Sequence, residues 1–139
     1  VASNIMACML AASIHYHIPP GVLPAIQKVE GGQMGHVSHN SDGSVDIGLM
    51  QINSRWILPI SAQLHAYPAQ IATQLALNPC FNIETAAMIL RMALKREHGN
   101  LLKAIGDYHS QTPILNILYQ RKVIAAAAQS YVRSRGKRG

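Results

Sequence analysis

Apolar residues recur along this chain at the three- and four-residue spacing of helices, not at the alternation of strands. Ile5, Cys8, Met9, Ala12 and Tyr16 mark a first helix. Pro19-Pro20 ends that run near His17, because proline lacks an amide proton and clashes with the preceding turn. A second helix is expected from about Gly21, with Pro24 in its first turn and Val22, Leu23, Ile26 and Val29 inward. Gly31-Gly32 terminates it and leaves Glu30 at its C-terminal end. Between Gly31 and Asp46 no period is sustained, and the turn-rich Asn40, Ser41, Asp42, Gly43 and Ser44 predict an irregular loop region. A short ordered element over Gly48 to Asn53 follows, then Trp56, Ile57 and Leu58. Pro68 opens a helix carrying Ile71 and Leu75, and Asn78-Pro79 turns the chain into a longer one holding Ile83, Ala86, Ala87, Leu90 and Leu94, capped by Gly99. Asn100 N-caps a short helix with Leu101, Ala104, Ile105 and Tyr108 inward, and Thr112-Pro113 begins the last, which runs through Ile117, Val123, Ile124 and Ala127. There is no internal repeat, heptad series or long linker. The pattern therefore predicts six or seven helices around one core, an all-α fold.

Composition agrees. Hydrophobic residues make up 49% of the 139 but aromatics only 5%, and the Ala, Ile, Leu and Met that dominate favour helices over strands. The length suits a single domain, over 1–132. The formal charge is +6, but Arg133, Arg135, Lys137 and Arg138 carry four of those charges, which leaves +2 for the rest. Residues 133–139 are thus expected to be a basic, disordered tail rather than a nucleic-acid surface, and no helix is dense enough in Arg, Lys and Asn to read bases. The apolar stretch from Ile5 to Ile14 falls far short of the roughly 20 residues a membrane span needs, so no transmembrane segment is expected. The chain opens with Val1, which a removed export signal would explain. Cys8 and Cys80 are too few and too distant for a zinc site, and are either one disulfide or two buried thiols.

The candidate chemistry lies in the carboxylates. Six exist, and Asp42, Asp46, Glu84, Glu97 and Asp107 can be given ordinary duties at turns and on helix faces. Glu30 stands apart, after an apolar helix and before two glycines that let a ligand approach the backbone. The plain alternative is a helix-end carboxylate in water, which composition alone favours. Yet the partial negative charge at a helix C-terminus disfavours ionisation, and burial adds to it, so both push the pKa up. A carboxyl held neutral near pH 7 can give a proton and then retrieve one. His15 and His17 are two apart, and His36 and His39 lack a third ligand, so no metal site is expected. No phosphate-cradling glycine loop occurs either, and no cofactor is expected.

Four blocks give these residues a common meaning. Val29-Glu30-Gly31-Gly32, then Val45-Asp46-Ile47-Gly48-Leu49-Met50-Gln51-Ile52-Asn53, then Asn78-Pro79-Cys80-Phe81-Asn82-Ile83, then Ala104-Ile105-Gly106-Asp107-Tyr108-His109-Ser110 resemble lytic transglycosylases in order and spacing. Glu-Gly-Gly alone is a weak signal, whereas Gly-Leu-Met-Gln-Ile-Asn behind a glutamate-bearing helix is strong. The resemblance covers roughly residues 4 to 125 and is nearest to the small specialised group associated with bacterial secretion, conjugation and pilus systems. It implies a lysozyme-like helical fold and cleavage of the β-1,4 bond between N-acetylmuramic acid and N-acetylglucosamine in peptidoglycan, with closure of a 1,6-anhydro ring instead of addition of water. Carried over by position, Glu30 is the acid and base, Met50 and Gln51 are cleft residues beside it, Asn82 is a sugar-binding asparagine, and Tyr108 steadies the glutamate. The positions of Cys8 and Cys80 match the group's disulfide, and the partners implied are glycan strands and components of a secretion, conjugation or pilus machine. A periplasmic or extracellular home follows from both.

Two departures from the family pattern bear on mechanism. Asp107 precedes Tyr108 and places an extra carboxylate close to the cleft or on the surface. Asp46, just before Ile47-Gly48, either pairs with Glu30 as in a two-carboxylate hydrolase, caps a short helix, or acts as an auxiliary charge; the last is the expectation here. A non-catalytic wall-binding module is the alternative from another class.

Overall fold

A computed structural model describes residues 2–138, and the helices fall where proline, glycine and asparagine punctuate the sequence. They are α1 (Ala2–His15), α2 (Val22–Glu30), α3 (Ile57–Leu64), α4 (Pro68–Leu77), α5 (Pro79–Arg96), α6 (Leu101–His109) and α7 (Pro113–Arg138). The Asn78 side chain accepts the Phe81 N–H to start α5, and that of Asn100 accepts the Lys103 N–H to start α6. Each thereby satisfies an amide that a helix N-terminus leaves without a partner. Gly31 ends α2 in the left-handed conformation at φ 65°, with its N–H on the Gln27 carbonyl. None of the described helices is long and apolar enough to cross a membrane.

Helix α5 is the centre of the core. Ile83, Ala86, Ala87, Leu90, Ala93 and Leu94 are buried along it, and α1, α4 and α6 pack around it. Full burial of each Ile or Leu side chain contributes about 1.5–3 kcal/mol, and the alanines let the neighbouring helices approach closely. Helix α7 lies over α6 and α2 through Asn116, Tyr119, Val123 and Ala126. Two further ties fix α1 to α5. Cys8 and Cys80 form a disulfide with Cα atoms 5.4 Å apart, and Arg91 donates to the carbonyls of Tyr16 and His17 at 2.8 and 2.7 Å, a cation at the C-terminal end of α1.

Three expectations change. The region from Gly31 to Asp46 is not wholly irregular, because β1 (Val37–His39), β2 (Val45–Ile47) and β3 (Ile52–Asn53) form a small antiparallel sheet in that order. Strands this short leave only a weak alternation in sequence, and each is stable only against its neighbour and the helices. Gly48 to Gln51 is a tight turn between β2 and β3 and not a helix, so Asp46 caps nothing. Finally, the basic residues expected to form a disordered tail continue α7 as far as Arg138. Arg133, Arg135 and Lys137 are good helix formers, and they extend a helix already nucleated by packing.

Candidate active site

Where α2 ends, the chain must pass close to the β2–β3 turn. A side chain at Gly32 would collide with the backbone carbonyls of Gly48 and Leu49, so only glycine permits the crossing. Gly48 itself sits at φ 74°, with the Leu75 carbonyl and the Asn82 amide where a Cβ would go. The second approach seats the turn on α4 and α5, and the first brings the end of α2 against the sheet. A cleft of about 270 Å³ opens between them, lined by Glu30, Asp46, Gln51, Asn53, Trp56, Tyr108 and His109 among others.

Glu30 is partly buried at its floor. Its Oε1 accepts the Tyr119 hydroxyl at 2.6 Å, a contact that reaches from α2 to α7. Burial is the main reason its pKa lies above the ordinary value, and the Asp46 charge adds to that; the Tyr119 hydrogen bond and Lys122 pull the other way. Tyr119 is pushed far up by burial and by Glu30, so it remains a donor at any physiological pH. Its ring is held face to face by His109, with centroids 5.1 Å apart.

Strand register supplies the other lip. Ser38, Asp46 and Asn53 are cross-strand partners and so share one face of the sheet, opposite the buried Ile47 and Ile52. Asn53 donates to Asp46 at 3.0 Å, and Ser38 donates to the Gln51 side-chain oxygen at 2.7 Å. Gln51 stands at φ 53° with its amide nitrogen on the Gly48 carbonyl, an uncommon backbone conformation for a non-glycine residue. Both cleft polar groups are therefore pre-positioned.

The model of the transglycosylase SLT domain family matches residues 7–118, most of the chain. The chain belongs to this family. Invasion protein IagB of Salmonella typhimurium is 33% identical over 106 residues, and protein IpgF of Shigella flexneri is 29% identical over 106. Each match takes in 76% of this chain, but only 62% of IagB and 66% of IpgF, so the chain spans under two thirds of those relatives.

Within the SLT domain, Glu30, Asp46, Gln51 and Tyr108 line one cleft. Asn82 does not. It is fully buried, its oxygen accepts the Met50 N–H at 2.8 Å, and its nitrogen donates to the carbonyls of Ile47 and Leu75 at 2.9 and 2.8 Å. Both amide protons are spent and no face is open to a sugar, so Asn82 ties the cleft's turn to α4 and α5. The Met50 side chain is likewise buried in the core, and only its backbone serves the site. Tyr108 donates to the Met50 carbonyl at 2.7 Å, so the tyrosine that steadies the glutamate is Tyr119. Asp107 is neither a cleft nor a surface group. It is buried, paired with Arg96 at 3.1 Å and with the Asn116 amide at 2.8 Å, beneath the joint of α6 and α7.

Tyr119 was invisible in the motifs because it comes from a helix outside them. The one signal was a tyrosine on the buried stripe Asn116, Tyr119, Val123, Ala126, since a buried phenol needs a partner for its hydroxyl. Replacing Tyr119 with Phe is expected to lower the maximal rate of any reaction that Glu30 carries out by roughly tenfold, the scale of one hydrogen bond to an ionisable group. It should also move the alkaline limb of the pH–rate profile to higher pH, because the lost bond is one that lowers the Glu30 pKa. An unmoved limb would show that the phenol does not act on the glutamate.

Proposed function

We propose that this SLT domain is a peptidoglycan lytic transglycosylase acting on the β-1,4 bond between N-acetylmuramic acid and N-acetylglucosamine. The observation that carries this reading is Glu30, a carboxyl whose pKa burial raises, gripped at 2.6 Å by Tyr119 and facing a cleft rich in amide and hydroxyl groups. Neutral Glu30 gives its proton to the glycosidic oxygen, the bond from C1 breaks, and the N-acetylglucosamine side leaves as an alcohol. The cationic centre at C1 is steadied by the substrate's own acetamido group. The glutamate, now ionised, takes the proton of the muramic 6-hydroxyl as that oxygen closes on C1, which restores the acid and yields the anhydro sugar. Gln51 and Asn53 offer fixed hydrogen-bond partners for the acetamido and hydroxyl groups. No metal or cofactor is needed in any of these steps. Mass spectrometry of fragments released from purified wall sacculi tests the reading: anhydro-muramic products support it, reducing-end products replace it with a hydrolase, and binding without release leaves a wall-binding module.

A second carboxylate in the same cleft keeps the hydrolase alternative specific. Asp46 stands near enough to raise the Glu30 pKa, and its Oδ1 is held by Asn53. In our reading it is an auxiliary charge that stabilises the cationic transition state and adds to the raised pKa of Glu30. Asp46→Asn is then expected to slow cleavage by about tenfold, well short of the ~10²–10⁴-fold of a lost general acid, with anhydro products still dominant. Its alkaline limb should shift to lower pH, opposite to that of Tyr119→Phe, because the charge removed is one that raises the Glu30 pKa. An Asp46→Asn enzyme as inactive as one lacking Glu30 would favour the nucleophile role instead.

The same proposal extends to the setting. The Cys8–Cys80 disulfide supports an oxidising compartment, periplasmic or extracellular, where the wall is found. The likeness to an invasion protein supports local opening of the wall for a secretion, conjugation or pilus apparatus over general wall turnover.

A further inference from the structure

The lining of the cleft is electrostatically lopsided. Glu30, Asp42 and Asp46 give it three carboxylates, and Arg55 is the one lysine or arginine among its lining residues. Asp42 Oδ1 accepts the Ser44 N–H at 2.9 Å and the Ser44 hydroxyl at 2.6 Å; these bonds are what chiefly lower its pKa, and the Arg55 charge adds a smaller pull. Among the described residues Arg55 forms no ion pair within 4.0 Å. Its backbone N–H is held by the Asn53 side chain at 3.0 Å, and its exposed guanidinium lies 5.8 Å from the Trp56 ring centre. A cation on an aromatic face is restrained while its donor edges stay free for a ligand.

If the glycan were neutral throughout, this arginine would find no anionic group on the ligand. The sugar rings of peptidoglycan are indeed uncharged. Its carboxylates belong to the arm at C3 of muramic acid, on the stem peptide while that is attached and on the lactyl group once it is removed. We propose that Arg55, backed by Trp56, is a subsite for a carboxylate of this arm. The neighbouring acids repel an anionic arm from the rest of the cleft, so attraction at Arg55 and repulsion elsewhere select together. The domain thereby tells muramic acid from N-acetylglucosamine and fixes which sugars of an alternating strand lie on either side of Glu30. This inference rests on the glycan-cleaving reading and adds to it the feature of the strand that is recognised.

Binding in a Glu30→Gln background tests it without turnover. Three soluble probes of equal length are titrated calorimetrically: a peptide-bearing muropeptide tetrasaccharide, the same after amidase treatment, and neutral chitotetraose. With Arg55 present, at least one carboxylate-bearing probe should bind roughly three- to fivefold tighter than chitotetraose, and the advantage should shrink with added salt. Arg55→Ala keeps the backbone N–H that Asn53 holds, and should bring that ratio close to one, while Arg55→Lys retains part of it. Loss of the preference for the peptide-bearing probe alone assigns Arg55 to the stem peptide, loss for the amidase-treated probe alone assigns it to the lactyl carboxylate, and loss for both assigns it to whichever carboxylate the arm carries. A preference that survives Arg55→Ala overturns the assignment and leaves the glycan-cleaving reading standing. If none of the probes binds, both fall together.

Discussion

Glu30→Gln is expected to reduce cleavage of wall sacculi by about 10²–10⁴-fold while the domain stays folded, because the amide keeps the shape of the carboxyl but delivers no proton. The Tyr119 hydroxyl can still donate to the amide oxygen, so the contact between α2 and α7 that it makes at 2.6 Å survives. A second consequence follows from the raised pKa. A carboxyl whose folded-state pKa lies above its unfolded value stabilises the fold fully below the unfolded value and loses that contribution as pH rises through the folded one. For Glu30 the window opens at the ordinary 4.5 and closes at the raised value, and burial is its main cause. Gln does not titrate. The melting temperature of the variant relative to wild type should therefore be level below about pH 4.5, rise across the window, and level off above it. A variant that retains more than about a tenth of wild-type cleavage would remove Glu30 from the role of acid. A flat difference in melting temperature would mean that the carboxyl is not desolvated in the folded domain.

Asn82→Ala should act on stability rather than on substrate affinity. It leaves the Met50 N–H and the carbonyls of Ile47 and Leu75 without partners in a place that water does not reach. Each buried polar group left unpaired costs about 1–3 kcal/mol, and relaxation recovers some of it, so a loss of roughly 3–5 kcal/mol is expected. Set against a total stability of about 5–15 kcal/mol, that lowers the melting temperature by about 10–20 °C. Thermal and urea unfolding check the magnitude. A sugar ligand would give the opposite signature, with the melting point preserved and KM raised. Asn82→Ala with normal stability and weakened glycan binding would restore the carbohydrate role that the sequence motif suggested.

Asn82 shows why a motif can be right and its meaning wrong. The block Asn78-Pro79-Cys80-Phe81-Asn82-Ile83 marks the start of α5 correctly, and Cys80 in it forms the bond to Cys8. Whether an asparagine there faces ligand or protein depends on what packs over it, and the turn at Gly48 that covers it lies more than thirty positions away. Met50 and Tyr108 follow the same logic. Both belong to the site's neighbourhood, but one turns inward and the other spends its hydroxyl on the first one's carbonyl. Asp107 read as a departure near the cleft because sequence cannot show that Arg96, eleven residues back, and Asn116 on the next helix enclose it.

By itself the sequence determined neither α3 nor the continuation of α7 through the basic residues, but it did determine most of the helices, most of their ends and the family. These are local matters: proline without an amide proton, asparagine side chains that cap, and apolar residues at helical spacing act within a few positions. It also singled out Glu30, through its place at the end of an apolar helix ahead of two glycines and through the four blocks that resemble the family. The tertiary structure alone decided how that glutamate is held. Tyr119 reaches it across 89 positions of chain, and Asp46 joins it because strand register turns Ser38, Asp46 and Asn53 to one face. Burial, which sets the Glu30 pKa, is a sum over neighbours from α2, α7 and the sheet that no single segment encodes. A side chain's chemistry is written in its own residue; its protonation state and its partner are properties of the packing around it.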